Sequence, residues 1–234
     1  MADIQVARPN QLADIYDRIL ARSFPSDELV DRATFLTYAT WGEVLVSADD
    51  LEQVAAVAVA DYSSATQLLL VEYLAVAPES REGGSGRKLL KAAQKRWSEL
   101  MAPGAFLAEL ERPEGHVASA EFGDPVRRLK FYQRLGYKAL ALPYYQPALS
   151  PEGRAVMDLV LVVLVNDPEW VSADGARFTE GARLEALLLE RMPAPAPGEE
   201  AAWAALMEAT RNPEGIELVE LSDLSQVPRS VPVS

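Results

Sequence analysis

The stretch "APESREGGSGRKLLKAAQKRW", residues 77–97, runs from the end of an apolar segment through a glycine-rich turn into a helix whose first turns carry only positive charge. Arg81, Arg87, Lys88, Lys91, Lys95 and Arg96 lie here, and no Asp or Glu occurs between Glu82 and Glu99. A helix begins at the positive end of its dipole, so each cation placed there costs about 0.3 kcal/mol or more. That cost is offset if an anion is held at the same point. A strand ending at Val76, a turn containing Gly83, Gly84 and Gly86, and a helix beginning at once bring several free backbone N–H groups together, and glycine lets a ligand approach them closely. The bland alternative is a glycine-containing turn followed by a solvated basic helix.

Working outward, three apolar runs precede this turn: "EVLVSA" at 43–48, "VAAVAVADYS" at 54–63 and "QLLLVEYLAV" at 67–76. The short polar connections "SADD" and "SSAT" predict antiparallel neighbours. Residues 3–7 predict a first strand, and Asn10 is expected to cap a helix reaching about Arg22, with a second helical stretch after it. Beyond the basic helix, which should bury Leu89, Leu90, Ala93 and Trp97, comes a strand, "AFLAELE" at 105–111. A helix then opens at Asp124 and Pro125 and stops at Gly136. "KALALPYY" and "MDLVLVVLV" read as two more strands, the second buried on both faces. The order predicts an α/β fold with mixed meander and crossover connections over residues 1–167. Residues 168–234 read as a helical C-terminal extension, with leucines at helical spacing over 178–192, a proline-rich linker, a further helix at 201–211 and a flexible, solvated tail "QVPRSVPVS".

Composition narrows the function. A formal charge of −13 argues against a nucleic-acid binder, since phosphate contacts need a broad basic surface. There is no cysteine and one histidine, His116, so no metal is expected, and a Ser-His-Asp triad would rest on that one loop residue. The N-terminus has no apolar signal-peptide core, and the longest apolar run is far short of a membrane span, so the expected location is cytoplasmic, with no membrane partner.

Both common nucleotide motifs fail at the turn. "GGSGRKL" lacks the spacing and the Lys-Ser/Thr of a P-loop, and position 89 is leucine where a dinucleotide fingerprint needs glycine. Arg81-Glu82-Gly83-Gly84-Ser85-Gly86 does fit Arg/Gln-x-x-Gly-x-Gly/Ala, and after "YLAVAPES" it resembles the coenzyme A-binding segment of the GNAT superfamily of acyl-CoA N-acyltransferases. "RRLKFYQRLGYKAL" at 127–140 is similar to that superfamily's late helix and following strand. The resemblance spans about residues 3–165. It implies a mixed, mostly antiparallel central sheet splayed between its fourth and fifth strands and flanked by helices.

The resemblance further implies acetyl-CoA as co-substrate. Backbone groups near Leu74 and Val76 would pair with the pantetheine arm, and the turn from Arg81, Glu82, Gly83, Gly84, Ser85 and Gly86, with Arg87, would hold the pyrophosphate. Tyr132 would protonate the leaving thiolate, although its spacing from Leu129 and Leu135 equally suits a core residue. Attack by a substrate amine needs a base. Glu72, alone in an apolar strand on the face of Val76, is the first candidate, with a structural ion pair as the alternative. Glu109 and Glu111 stand in reserve. Where relatives carry an asparagine seven residues before the tyrosine, this chain has Pro125, preceded by an inserted "RPEGHVASAEFGD". That loop, residues 24–29 and "PYYQPAL" with Tyr144 and Tyr145 are expected to wall the acceptor pocket. Asp27 and Glu28 would favour a cationic small-molecule or peptide amine. The other reading is a non-catalytic acyl-CoA-binding sensor or scaffold. Edge strands near 157–165 or the C-terminal helices offer surfaces for a homodimer.

Overall fold

Valine and alanine make up "VAAVAVA", residues 54–60, and the strand they form is buried on both faces. Val57 and Val59 join Val44, Val46, Tyr73 and Ala75 in one core with Leu12, Ile15, Ile19, Leu20 and Phe35. Burying each of the larger of these side chains stabilises the fold by roughly 2 kcal/mol. Leu45, Ala56 and Ala58, on the alternate positions, are fully buried as well. This is the period of two that a sheet covered on both faces requires.

The computed structural model describes residues 4–37, 43–48, 53–80, 84–119, 122–150, 153–192 and 194–232. The elements in chain order are β1 (Ile4–Val6), α1 (Pro9–Asp14, continuing as a π-helix over Ile15–Leu20), α2 (Arg32–Thr37), β2 (Glu43–Ala48), β3 (Val54–Ser63), β4 (Leu68–Val76), α3 (Ser85–Met101), β5 (Ala105–Glu111), α4 (Pro125–Gln133), β6 (Lys138–Leu140), β7 (Leu159–Val165), β8 (Arg177–Phe178), α5 (Gly181–Arg191), α6 (Glu200–Thr210) and β9 (Ile216–Val219). The fold is mixed α/β, with mostly antiparallel strands flanked by helices, as expected. The chain divides into two units, the first of residues 1–62, 70–102 and 119–123 and the second of residues 63–69, 103–118 and 124–234.

In the first unit the strands run β1-β2-β3-β4. β1 pairs antiparallel with β2 through Ile4↔Ser47 to Val6↔Leu45, and β2 with β3 through Glu43↔Ala60 onward. α3 packs against β1 and β2, burying Leu89, Leu90, Ala93 and Trp97 as its spacing predicted. The cap of α1 differs from expectation. Arg8, not Asn10, precedes the helix, Pro9 fills the first helical position, and Gln11 Oε1 accepts from the Arg8 N–H at 2.9 Å. Proline is preorganised for that position and lacks only an N–H that would be unsatisfied anyway.

In the second unit the strands run β5-β7-β6-β9-β8. β5 and β7 pair from Ala105↔Val165 to Glu111↔Leu159, while β7 also pairs with β6. β7 is therefore interior to its sheet, and the expectation of an exposed edge over 157–165 is corrected. β6 stops at Leu140 instead of running to Tyr145; Ala141 still donates to Glu217, but Pro143 has no N–H with which to extend the ladder. The chain after Asp167 carries both expected helices and also β8 and β9, which are too short to show a period. Its final segment is held rather than solvated where it passes residues 224–230. Leu224 and Val227 are buried, and the buried Arg112 donates to the carbonyls of Leu224 (3.0 Å), Val227 (3.0 Å) and Pro228 (3.2 Å). Among the described residues no helix is long and apolar enough to cross a membrane.

α4 begins as its sequence dictates, with Asp124 Oδ1 accepting from the Val126 N–H at 2.9 Å and Pro125 at the first position. Asp124→Ala is expected to cost about 1 kcal/mol of stability in a denaturant titration. A change below a few tenths would mean that the cap is redundant.

Candidate functional site

β4 presents Glu72, Leu74 and Val76 on one face, each half-buried, while Tyr73 and Ala75 point into the core. The predicted cofactor face is thus distinct from the packing face. Just beyond, Gly84 caps α3 in a left-handed conformation (φ 68°, ψ 19°), and its carbonyl accepts from the Lys88 N–H at 3.2 Å. A Cβ added at Gly84 would meet nothing within 4 Å among the described residues. Gly86 is buried, and a Cβ there would lie 3.1 Å from Val76 Cγ2. Glycine at 86 lets the helix start sit directly against the end of β4, and glycine at 84 supplies the turn that aims the first N–H groups outward.

The structure brings Val76, Gly84, Ser85, Gly86 and Arg87 together within the first unit. Arg81, Glu82 and Gly83 lie outside the described residues. The first turn of α3 holds no acidic side chain, and Arg87, Lys88, Lys91 and Lys95 are all exposed. Lys95 reaches Glu99 at 3.9 Å, an exposed pair with little energetic weight. The positive end of this 17-residue helix therefore meets a local surplus of cations, and the arrangement can hold an anion through backbone N–H groups and charge together.

In the second unit Tyr132 is buried on α4, its ring edge-on to Phe131 (5.2 Å) and Tyr137 (5.0 Å). Burial raises the pKa of its phenol well above the ordinary value, and the charge of Arg128, one turn earlier on the same helix, pulls it partly back. Arg128 is also in an ion pair with Glu111 at the end of β5. Glu111 lies 3.6 Å from His116 Nδ1, and His116 Nε2 lies 3.1 Å from the carbonyl oxygen of Met157. In the sequence Glu111 is a reserve candidate, His116 a lone loop residue, and Arg128 carries no motif of its own. The signal for Arg128 was its spacing of four from Tyr132, which puts both on one helix face.

Tyr144 and Tyr145, expected at the wall of the acceptor pocket, are buried. They are 3% and 0% exposed, and each donates to a carboxylate, Tyr144 to Glu109 and Tyr145 to Glu199 at 3.3 Å. Burial first, then the adjacent carboxylate, raises the pKa of both phenols. They are interior polar anchors, and Glu109 is occupied by one of them. Glu72 makes interactions of its own, so its face and half-burial are what the structure adds to its candidacy.

With this geometry in view, a family model for the acetyltransferase (GNAT) domain matches residues 40–139. Among solved structures, the chain is similar to a protein of Bacteroides thetaiotaomicron assigned to the GNAT acetyltransferases, with a TM-score of 0.57 and 22% identity over 80% of this chain and 97% of that one. It is also similar to a GNAT superfamily phosphinothricin acetyltransferase of Sinorhizobium meliloti, solved with AcCoA, with a TM-score of 0.51 and 18% identity over 70% of this chain and 89% of the other. No curated protein matches the chain in sequence. The matched segment contains β2, β3, β4, α3, β5 and α4, the elements that carry the glycine turn and the tyrosine, so residues 40–139 are similar to the acetyltransferase (GNAT) domain and the chain has the GNAT fold.

Proposed function

We propose that this chain is an acyl-CoA-dependent N-acyltransferase that moves an acetyl group from acetyl-CoA to a primary amine by direct attack. The observation that carries the reading is the helix end at Gly84–Gly86, closed against Val76 at Gly86, with no acidic side chain in its first turn and a cluster of cations along the helix behind it. An anion such as a pyrophosphate supplies what this point lacks. The neighbour from Sinorhizobium meliloti holds AcCoA, and its fold is shared.

In this reading the backbone near Leu74 and Val76 pairs with the pantetheine arm. Ser85, Gly86 and Arg87, with the turn from Arg81 to Gly84, hold the pyrophosphate. Glu72 takes a proton from the incoming ammonium, and the amine attacks the thioester carbonyl. The carbon–sulfur bond breaks, its electron pair goes to sulfur, and Tyr132 protonates the thiolate. The domain of residues 1–167 does this chemistry, while 168–234 packs as an extension. The acceptor is a cationic small molecule or peptide amine, steered by Asp27 and Glu28. The reaction is placed in the cytoplasm.

Calorimetric titration with acetyl-CoA tests the cradle. Micromolar binding is expected, weakened about 100-fold, or about 2.7 kcal/mol, by Gly86→Glu and by Gly84→Glu, because each sets a carboxylate against the phosphates. Dephospho-CoA and desulfo-CoA, titrated alongside, report which part of the ligand carries the affinity. Unchanged affinity in both variants would remove the cradle. Tight binding with no acetyl transfer to any amine of a broad panel would favour the sensor or scaffold.

A further inference from the structure

The reading above leaves two protons to be placed and one acid that is too weak. Burial makes the Tyr132 phenol a poorer acid than free tyrosine, so donation to a thiolate, whose conjugate acid has a pKa of about 8.5 in a cysteine-like thiol, runs uphill. The charge that opposes this rise is Arg128, which is at the same time held by Glu111. We propose that Arg128 is a cation shared between Glu111 and Tyr132, so that proton uptake by Glu111, backed by His116, turns the charge of Arg128 toward the tyrosine as it acts. This inference rests on the acetyl-transfer reading and assigns Arg128 as a positioning residue and Glu111 as a second proton acceptor.

The local chemistry favours it. A carbonyl oxygen can only accept, so the contact between His116 Nε2 and Met157 puts the ring hydrogen on Nε2. The Nδ1 lone pair then faces Glu111 at 3.6 Å. A proton that reaches Glu111 has a second acceptor beside it, and the pair can hold one proton between carboxylate and imidazole. Glu111 and His116 are largely enclosed, with side chains 11% and 19% exposed, which strengthens electrostatic coupling relative to water. Residues on either side of this pair are anchored: Arg112 by the carbonyls of Leu224, Val227 and Pro228, and Asp158 by Ser230 Oγ at 2.8 Å and Arg229 at 2.9 Å.

The steps balance. The substrate ammonium first loses one proton, which ends on water. The amine attacks, the carbon–nitrogen bond forms, and the nitrogen, now positive, gives its second proton to Glu111. Neutral Glu111 no longer compensates Arg128, whose charge then stabilises the phenolate left when Tyr132 gives its proton to sulfur. The phenolate finally regains a proton from the Glu111–His116 pair. One proton is released overall, and the third nitrogen hydrogen stays on the amide.

Two measurements on the full chain test this. Long-range ¹H–¹⁵N spectra report His116 without ambiguity, because the chain has one histidine. In the neutral ring an Nε2–H tautomer is expected; an Nδ1–H tautomer overturns the proposal. The second is a double-mutant cycle on acetyl transfer to spermidine and to a peptide with a free N-terminus. Arg128→Gln is expected to lower kcat about 10- to 100-fold in the native background, with KM for acetyl-CoA unchanged, but less than about 2-fold in a Tyr132→Phe background. Arg128→Lys, which keeps the charge, should recover most of the loss. Equal losses in both backgrounds, or no recovery by lysine, sink the shared-cation role while leaving the acetyltransferase reading intact. Failure of acetyl-CoA to bind the native chain would instead remove that reading and this one with it. Calorimetric acetyl-CoA affinity of each variant separates a chemical loss from a folding one.

Discussion

Arg112→Ala is expected to lower the thermal midpoint of the chain by about 10 °C in scanning calorimetry. Arg112 is 3% exposed at the end of β5, and its two terminal nitrogens serve the carbonyls of Leu224, Val227 and Pro228. Removing the guanidinium strips these acceptors of charge-assisted donors, at roughly 1–3 kcal/mol for each that stays buried. A total of about 3–5 kcal/mol corresponds to about 10 °C for a chain of this size. Burial first, and repulsion from Arg229 second, lower the Arg112 pKa, while Asp158 and Glu114 raise it, so the carbonyls act with these carboxylates in holding the cation. Deleting residues 224–234 should cost a similar amount by leaving the cation buried and unserved. The two changes together should cost little more than either alone, because each removes the same interaction. A midpoint shift under about 2 °C for Arg112→Ala would mean that water replaces the guanidinium freely.

Tyr132→Phe should lower kcat for acetyl transfer by about 100- to 1000-fold, with acetyl-CoA affinity unchanged. The ring stays, and with it the edge-on contacts to Phe131 and Tyr137, so the variant keeps its packing. What is lost is the hydroxyl that protonates sulfur. Stopped-flow detection of thiol release, alongside calorimetry of the same variant, separates the two properties. Unchanged turnover would assign Tyr132 to the core, the role its spacing between Leu129 and Leu135 also allows. A parallel loss of affinity and stability would point to packing as well. The same assay on Glu72→Gln reports the first proton acceptor, which should show its effect in kcat rather than in coenzyme binding.

Much of the fold was legible because the relevant signals are local. β2 and β3 coincide with the runs "EVLVSA" and "VAAVAVADYS", and β4 begins one residue inside its own. α4 starts at Asp124 and Pro125, where capping chemistry places it. Reading failed where an element's limits depend on partners distant in sequence. β6 ends early because its neighbours and Pro143 allow no further ladder, and β8 and β9 exist as strands because they pair with each other and β9 pairs with β6. The tail looked solvated because nothing in "QVPRSVPVS" announces that Arg112, more than 100 positions earlier, takes up its carbonyls.

By itself the sequence determined the strand and helix order of residues 1–167, the glycine turn with its basic helix, and the candidacy of Glu72 and Tyr132. All of these are matters of period, capping and spacing within one stretch of chain. Only the tertiary structure decided that Gly86 closes on Val76, that Tyr144 and Tyr145 are interior, and that Glu111, His116 and Arg128 meet. Such meetings are decided by the pairing of strands and the docking of helices, and the energies of buried charges, set by distance and enclosure, exist only once those contacts have formed.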